Sequence, residues 1–426
     1  MRLKRPLVTI PAAIAILAVA AFLLLWLAAF TPFARRLAAD WVADATGLPA
    51  SVERLRPGFL RGPSLEVGGL ALGQPPGFGE GHLLDVGEAR IDLPWSSLLG
   101  ASAVDSVSIS DAVVRPALAA DGSNNWSGML DRLAELGGEG EAAWSVGELT
   151  LERGAIEFVD SAQGSKWRLT AVTLATRDVA PGTDFPVDLR LAGVSGPNTF
   201  HFALNGMTAL DPDAGRYRAS ALGFRGWAGG EPLPLAGVEL SGRVGSFTWD
   251  APTQSAAVRG GSFNLAGVPG EFSGDLSLRD ESAHMNLRVR TETFAPRAPA
   301  VAFGRPLPVT RDPEAFGAVQ ATFTCALEDS VLRLDPIEAQ LDDTRVTGSV
   351  VPQQRFVRLS ADRIDLDRYL APGRESRKEK KATLEAAVAS LRELDLDAEI
   401  RVAEAKVAGA TLRDTVVRIE RQPAAE

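Results

Sequence analysis

Residues 63–72 read PSLEVGGLAL, and the phase of their apolar residues decides the fold. Leu65 and Val67 sit two apart, the pair Gly68 and Gly69 interrupts, and Leu70 and Leu72 resume the beat one residue out of step. That pattern describes a half-buried strand carrying a bulge. Similar alternation recurs in LLDVGEARIDL, VDSVSISDAVV, LTLERGAIEFVD, KWRLTAVTLAT, FPVDLRLAG, NTFHFALNG, SFNLAG, DLSLRD and HMNLRVR, in runs spaced by about 8 to 15 residues. The linking pieces, such as DSAQGS, DPDAGR and DAPTQ, carry the Asp, Gly, Pro and Ser that tight turns require. With 41 Gly and 27 Pro in 426 residues, the chain favours short strands joined by turns, and the expected class is mainly β with a few short helices.

The N-terminus is written differently. From Pro6 to Ala34 there are 29 residues without a charge, more than the ~20 that cross a bilayer core as a helix. Arg2, Lys4 and Arg5 precede this run and favour a cytoplasmic N-terminus. The expected anchor is 7–33, with Leu7, Ile14, Leu17, Phe22, Leu25, Trp26 and Phe30 among its residues and 1–6 as a cytoplasmic tail. A cleaved signal peptide is the competing reading, but its apolar core would be shorter and would end in small residues instead of aromatics. Residues 34–47 continue as an amphipathic helix, with Leu37 and Trp41 expected to cap one end of the β structure and Gly47 and Pro49 to stop the helix.

The body then divides by pattern into a first β unit (48–143) and a β meander (144–372). A charged linker and helix (373–393) and C-terminal strands (394–426) follow. Within the first unit, DGSNNWSGMLDRLAELGG reads as a turn and a short helix with Trp126, Met129, Leu130 and Leu133 inward.

Chemistry is sparse. A net charge of −10 with no basic stripe argues against a nucleic-acid partner. His82, His201 and His284 are scattered and show no ligand spacing, and no P-loop, G-x-S-x-G elbow or H-E-x-x-H is present. The single Cys325 reads as a small buried hydrophobe, and the acids of LDD (341–343) and LDLDA (394–398) read as turn and outer-face residues. No catalytic residue, metal or cofactor is expected, and the protein is not expected to be an enzyme.

Several stretches resemble the AsmA family of Gram-negative inner-membrane proteins. They are the anchor followed by ATGLPASVERLRPGFLRGPSLEVGGLALGQPPGFGEG, then VSISDAVVRPALAADGSNNWSGML, TRDPEAFGAVQATF, and LDDTRVTGSV with RLSADRIDLDRYLAP. The resemblance implies a periplasmic body on an inner-membrane anchor, similar to the repeating-β-groove lipid-transfer proteins. In those proteins an elongated antiparallel sheet curls into an apolar groove. It further implies phospholipid transport between the two membranes and a part in outer-membrane biogenesis. The family's usual C-terminal repeats are absent, so the strands after 394 read as a truncated end.

An ordinary two-sheet sandwich would bury alternating residues equally well. If the meander instead forms a groove, its lining is expected to include Leu65, Val67, Leu149, Leu151, Leu169, Leu189, Phe202, Leu204, Phe263, Leu265, Leu276, Leu278, Leu287 and Phe323. The expected partners are phospholipid acyl chains, the inner membrane and a protein at the edge of the last strand. A non-enzymatic scaffold regulating protein targeting to the outer membrane is the alternative function, resting on that strand edge.

Overall fold

The computed structural model of the chain describes residues 32–59, 62–99, 103–136, 144–161, 164–212, 214–231, 237–279, 282–328, 331–370, 372, 397–407 and 409–419. The expected anchor, apart from its last two positions, and the expected helix at 373–393 lie outside these residues. Among the described residues no helix is long and apolar enough to cross a membrane.

Among the described residues, twenty strands belong to one mixed sheet that is not closed on itself. The chain clusters into two units, Met1–Ala203 and Leu204–Glu426. The first holds helix α1 (Pro32–Thr46) and strands β1 (Ala50–Gly58), β2 (Ser64–Gly73), β3 (His82–Asp92), β4 (Ala103–Val114) and β5 (Ala117–Leu118). Helix α2 (Ser127–Leu136), β6 (Ser145–Asp160), β7 (Ser165–Val179) and β8 (Asp184–Ser195) complete it, and β9 (Asn198–Asp211) carries the chain into the second unit. There β10 (Arg216–Gly229), β11 (Val238–Asp250), β12 (Ser255–Leu265), β13 (Val268–Arg279) and β14 (Ser282–Thr291) precede a short helix α3 (Arg297–Ala302). The sheet continues with β15 (Val319–Glu328), β16 (Val331–Leu341), β17 (Thr344–Val351), β18 (Phe356–Asp365), β19 (Asp397–Val407) and β20 (Ala410–Ile419).

Most neighbours are antiparallel and consecutive in the chain, as the turn chemistry predicts. The expectation of an antiparallel sheet throughout is corrected at two places. In the first unit β6 runs parallel to β4 and β5, and in the second β19 runs parallel to β18. A parallel neighbour needs a crossover of a dozen or more residues. The chain supplies one between Leu118 and Ser145, which contains α2, and another between Asp365 and Asp397.

The phase slip read from residues 63–72 is a seam through the first unit. Gly69 in β2 has φ +60°, and the slip recurs at Asp111 in β4 (+55°), Arg153 in β6 (+53°) and Ala171 in β7 (+50°). These residues fall at one level of the pairing, where the paired residues skip from Gly68 to Leu70, from Ser110 to Val113 and from Thr170 to Thr173. An inserted residue bends and twists its strand. Apart from a one-residue shift in the pairings of β7, the registers keep step across this level, so the apolar residues above and below the seam stay on one face. Arg153 and Asp111, both at the seam, join through two hydrogen bonds of 2.7 and 2.8 Å.

Two helix expectations are corrected. Helix α1 packs on β1 and α2, but through its half-buried small side chains Ala38, Ala39, Val42 and Ala43. Leu37 and Trp41, expected to cap the sheet, are 60% and 71% exposed. The small residues let the helix backbone come close to its neighbours, and the bulky stripe is left outside. Gly47 ends α1 in the left-handed conformation (φ +69°), its N–H donating to the Ala43 carbonyl at 2.8 Å. On α2, Leu130 is exposed instead of inward, because the side that meets α1 is the one bearing Arg132, whose Nε donates to the Asp44 carbonyl at 3.1 Å.

Candidate functional site

The pairing register sorts the side chains of each unit into two faces. Paired residues lie side by side on the same face, so a chain of partners traces a row running across the strands. In the first unit Leu55, Val67, Ala89, Ile109, Leu151, Leu174 and Leu189 form one such row. Pro57, Leu65, Ile91, Val107, Leu149, Thr176 and Val187 form the next. Across the seam, Ala50, Leu72, Leu84, Val114, Ile156, Leu169 and Gly193 make a third. The opposite face carries Arg56, Glu66, Arg90, Ser108 and Thr150, with Arg56 and Glu66 paired at 3.4 Å.

The second unit repeats the arrangement. Val244, Gly261, Phe272, Val289, Phe323, Ile337, Gly348, Leu359, Ile400 and Val417 form a row, beside Phe247, Val258, Gly274, Leu287, Cys325, Leu334, Val350, Val357, Ala398 and Ile419. Outside these lie the partial rows Gly242, Phe263 and Gly270, and Trp249, Ala256, Leu276, Met285, Leu327 and Leu332. On its other face Arg243, Ser262, Glu271, Arg290, Thr322, Glu338, Thr347, Ser360 and Arg401 form a polar row that ends at Val416.

All fourteen residues named from the sequence as a candidate lining fall on the apolar side. Leu65, Val67, Leu149, Leu151, Leu169 and Leu189 lie in the rows of the first unit. Phe263, Leu276, Leu287 and Phe323 lie in those of the second, with Leu265 paired to Leu240 and Val268, and Leu278 paired to Ala283. Phe202 and Leu204 alternate with Asn205, whose Oδ1 lies on the polar side near Gly223.

Most of the large side chains of these rows are not enclosed. Leu65 is 37% and Leu278 39% exposed, and the phenylalanines of the rows are half-buried. Full burial falls on the large row members Leu72, Val244 and Ile419 and on small residues of the same face such as Ala256, Ala361 and Ala398. Among the described residues the largest side chain below 2% exposure is Leu83. The interior of a sandwich would bury the large residues first, so the two-sheet expectation gives way to a single sheet with an open apolar face in each unit.

Glycine shapes that face in a way the sequence did not reveal. Phe263 lies over Gly270, its Cζ 2.5 Å from where a Cβ would stand, and Phe272 lies over Gly261 with three ring atoms at 2.7 Å from that point. Phe200 covers Gly193 and Phe224 covers Gly242 in the same manner. A ring can lie flat only where the opposite residue lacks a side chain, so these glycines lower the aromatic residues onto the sheet. At one end of the first unit the aromatic residues are stacked: Phe158 and Trp167 have ring centroids 4.9 Å apart, and Trp126 from the crossover lies 6.3 Å from Phe158. Asn125 holds that crossover, accepting from Ala117 N–H at 2.8 Å and donating to Gln74 Oε1 at 2.8 Å.

Polar groups cluster away from the rows. His82 does have a carboxylate partner that the sequence reading overlooked, Asp85, at 2.7 Å. Arg115 pairs with Asp85 and with Glu157, and Arg168 with Glu157, giving a chain of ion pairs. Asp342, expected as a solvated turn residue, accepts from the N–H groups of Phe316, Gly317 and Ala318 at 2.8–3.1 Å and from the Tyr369 hydroxyl at 2.7 Å. Burial raises the Asp342 pKa, but the hydrogen bonds from Tyr369, Ala318, Phe316 and Gly317 outweigh it and hold the carboxyl below its usual range. Burial, then the bond to Asp342, pushes the Tyr369 hydroxyl upward. This cluster pins the loop before β15 to the β16–β17 turn. Among the described residues no group of three or more His, Cys, Asp or Glu could hold a metal ion. No protein-family model matches the chain, and neither does any curated protein.

Proposed function

We propose that the protein binds phospholipid acyl chains along its apolar faces and takes part in lipid transport between inner and outer membrane, as its resemblance to the AsmA family implies. The observation that supports this reading most directly is the set of half-exposed apolar rows in register across the strands. Such a surface standing in water is unfavourable at about 25 cal/mol per Å² unless something apolar covers it. Acyl chains suit it. Same-face rows are spaced by about 7 Å along a strand, so three or four rows offer a strip roughly 20 Å wide, enough for two tails side by side. The rows run across the strands, so a tail lying along them meets equivalent side chains every ~4.8 Å. Moving by one strand exchanges like contacts for like, and no bond is made or broken. The anchor at 7–33 would hold the body at the inner membrane, with the headgroup of each guest in water.

Photocrosslinking in cells tests the proposal. A benzophenone side chain in place of Leu204, Leu278 or Phe323 should yield adducts with phospholipid, and one in place of Arg243 or Glu271 on the polar face should not. Adducts with protein alone from the apolar positions would remove the lipid reading. Protein adducts at Leu412 and Val416, which are exposed on β20, would then favour the scaffold.

A further inference from the structure

Helix α1 carries its bulk on the side away from the protein. Phe33, Leu37 and Trp41 are 72%, 60% and 71% exposed, and their i, i+4, i+8 spacing sets them in one stripe. The opposite side is committed to the body: its alanines pack toward β1 and α2, and Arg35 Nη1 donates to the Glu53 carbonyl of β1 at 2.8 Å. An outward apolar stripe of this size is unfavourable in water and calls for a cover.

The chain next to it says what the cover is. In the sequence, the charge-free run Pro6–Ala34 leads directly into α1, and the three- and four-residue spacing of large side chains continues upstream through Phe30 and Trp26. Exposed charge is graded along the helix. Arg36 stands at its start, where lipid phosphates would be, while Asp40 and Asp44 lie toward its end. We propose that the stripe Phe33–Leu37–Trp41 is seated in the headgroup layer of the bilayer that holds the upstream segment, so that α1 joins membrane and sheet and sets β1 against the lipid surface. The inference rests on the anchored reading above. Indole rings favour this layer, and arginine is attracted to its anionic lipids. Lipids reaching the first strand would then enter from the headgroup region without crossing water.

The test uses the full chain with Cys325→Ala, reconstituted in vesicles of phosphatidylethanolamine and phosphatidylglycerol. A fluorescent thiol probe is placed singly by Leu37→Cys, Trp41→Cys, Ala20→Cys or Gln254→Cys, and a shallow nitroxide-labelled lipid serves as quencher. Probes at 37 and 41 should lose emission about twofold, as expected for groups ~5–10 Å into the headgroup boundary. The probe at 254, in an exposed turn, should keep its emission. Quenching at 20 but not at 37 or 41 overturns the inference and leaves the anchor standing. No quenching at any position overturns both. Unquenched emission with disulfide dimers through Leu37→Cys assigns the stripe to a second copy and likewise overturns the proposal.

Discussion

At Gly261 the absence of a side chain is what lets Phe272 lie down. Gly261→Ala should lift the ring and cost about 1–3 kcal/mol through overpacking, read as a lower midpoint in urea or thermal unfolding. A midpoint equal to wild type would mean that the ring has other room. Cys325 offers a second probe, since it sits in a row between Leu287 and Leu334 and burial pushes its thiol pKa up. Its reaction with a water-soluble maleimide should therefore be slow at neutral pH and should speed up once bound lipid is stripped. Unchanged kinetics on stripping would argue against a guest over that row. Asp342 supplies a pH test. Its pKa in the fold is lowered, so the stability it contributes is complete above the ordinary carboxylate value near 4 and is lost as pH falls through the lowered one. The stability gap between wild type and Asp342→Asn should be largest near neutral pH and should close in acid; a gap independent of pH would place the role of Asp342 in packing alone.

Among the elements, the seam carries strain at residues other than glycine. Ala171 holds φ +50° with an exposed side chain, so Ala171→Gly should stabilise by about 1 kcal/mol in equilibrium unfolding, and destabilisation would show that its methyl group is packed. The seam itself was legible. Leu65 and Val67 against Leu70 and Leu72 announce it, and Ile109 against Ala112, or Leu151 against Ile156, repeats the slip, because one buried face forces apolar residues to follow the pleat. The alternation also separated the fourteen candidate lining residues from their polar neighbours. Three features escaped. Strand direction does not alter a period of two, so the parallel pairs β4–β6 and β18–β19 look like any others until the crossovers are traced. A helical period locates the stripe of Leu37 and Trp41 but not the neighbour it meets, and in α1 the alanines won the contact. Glycines such as Gly261 read as breakers when their role is to receive a ring from the next strand.

For the molecule as a whole, the polar and apolar faces imply that damage to each can be separated. Leu278→Asp, at a site already 39% exposed, should reduce phospholipid crosslinking from Phe323 while leaving the unfolding midpoint within about 1 kcal/mol of wild type. Collapse of the fold would show instead that the apolar face is needed for the sheet to hold together. The order of pairing has a further effect. Apart from the two crossovers, paired strands among the described residues lie beside the strand made just before or just after them. A chain emerging from its N-terminus as it is made could therefore assemble like a zip fastener, each arriving ribbon closing onto the one already in place, with little need to wait for distant sequence.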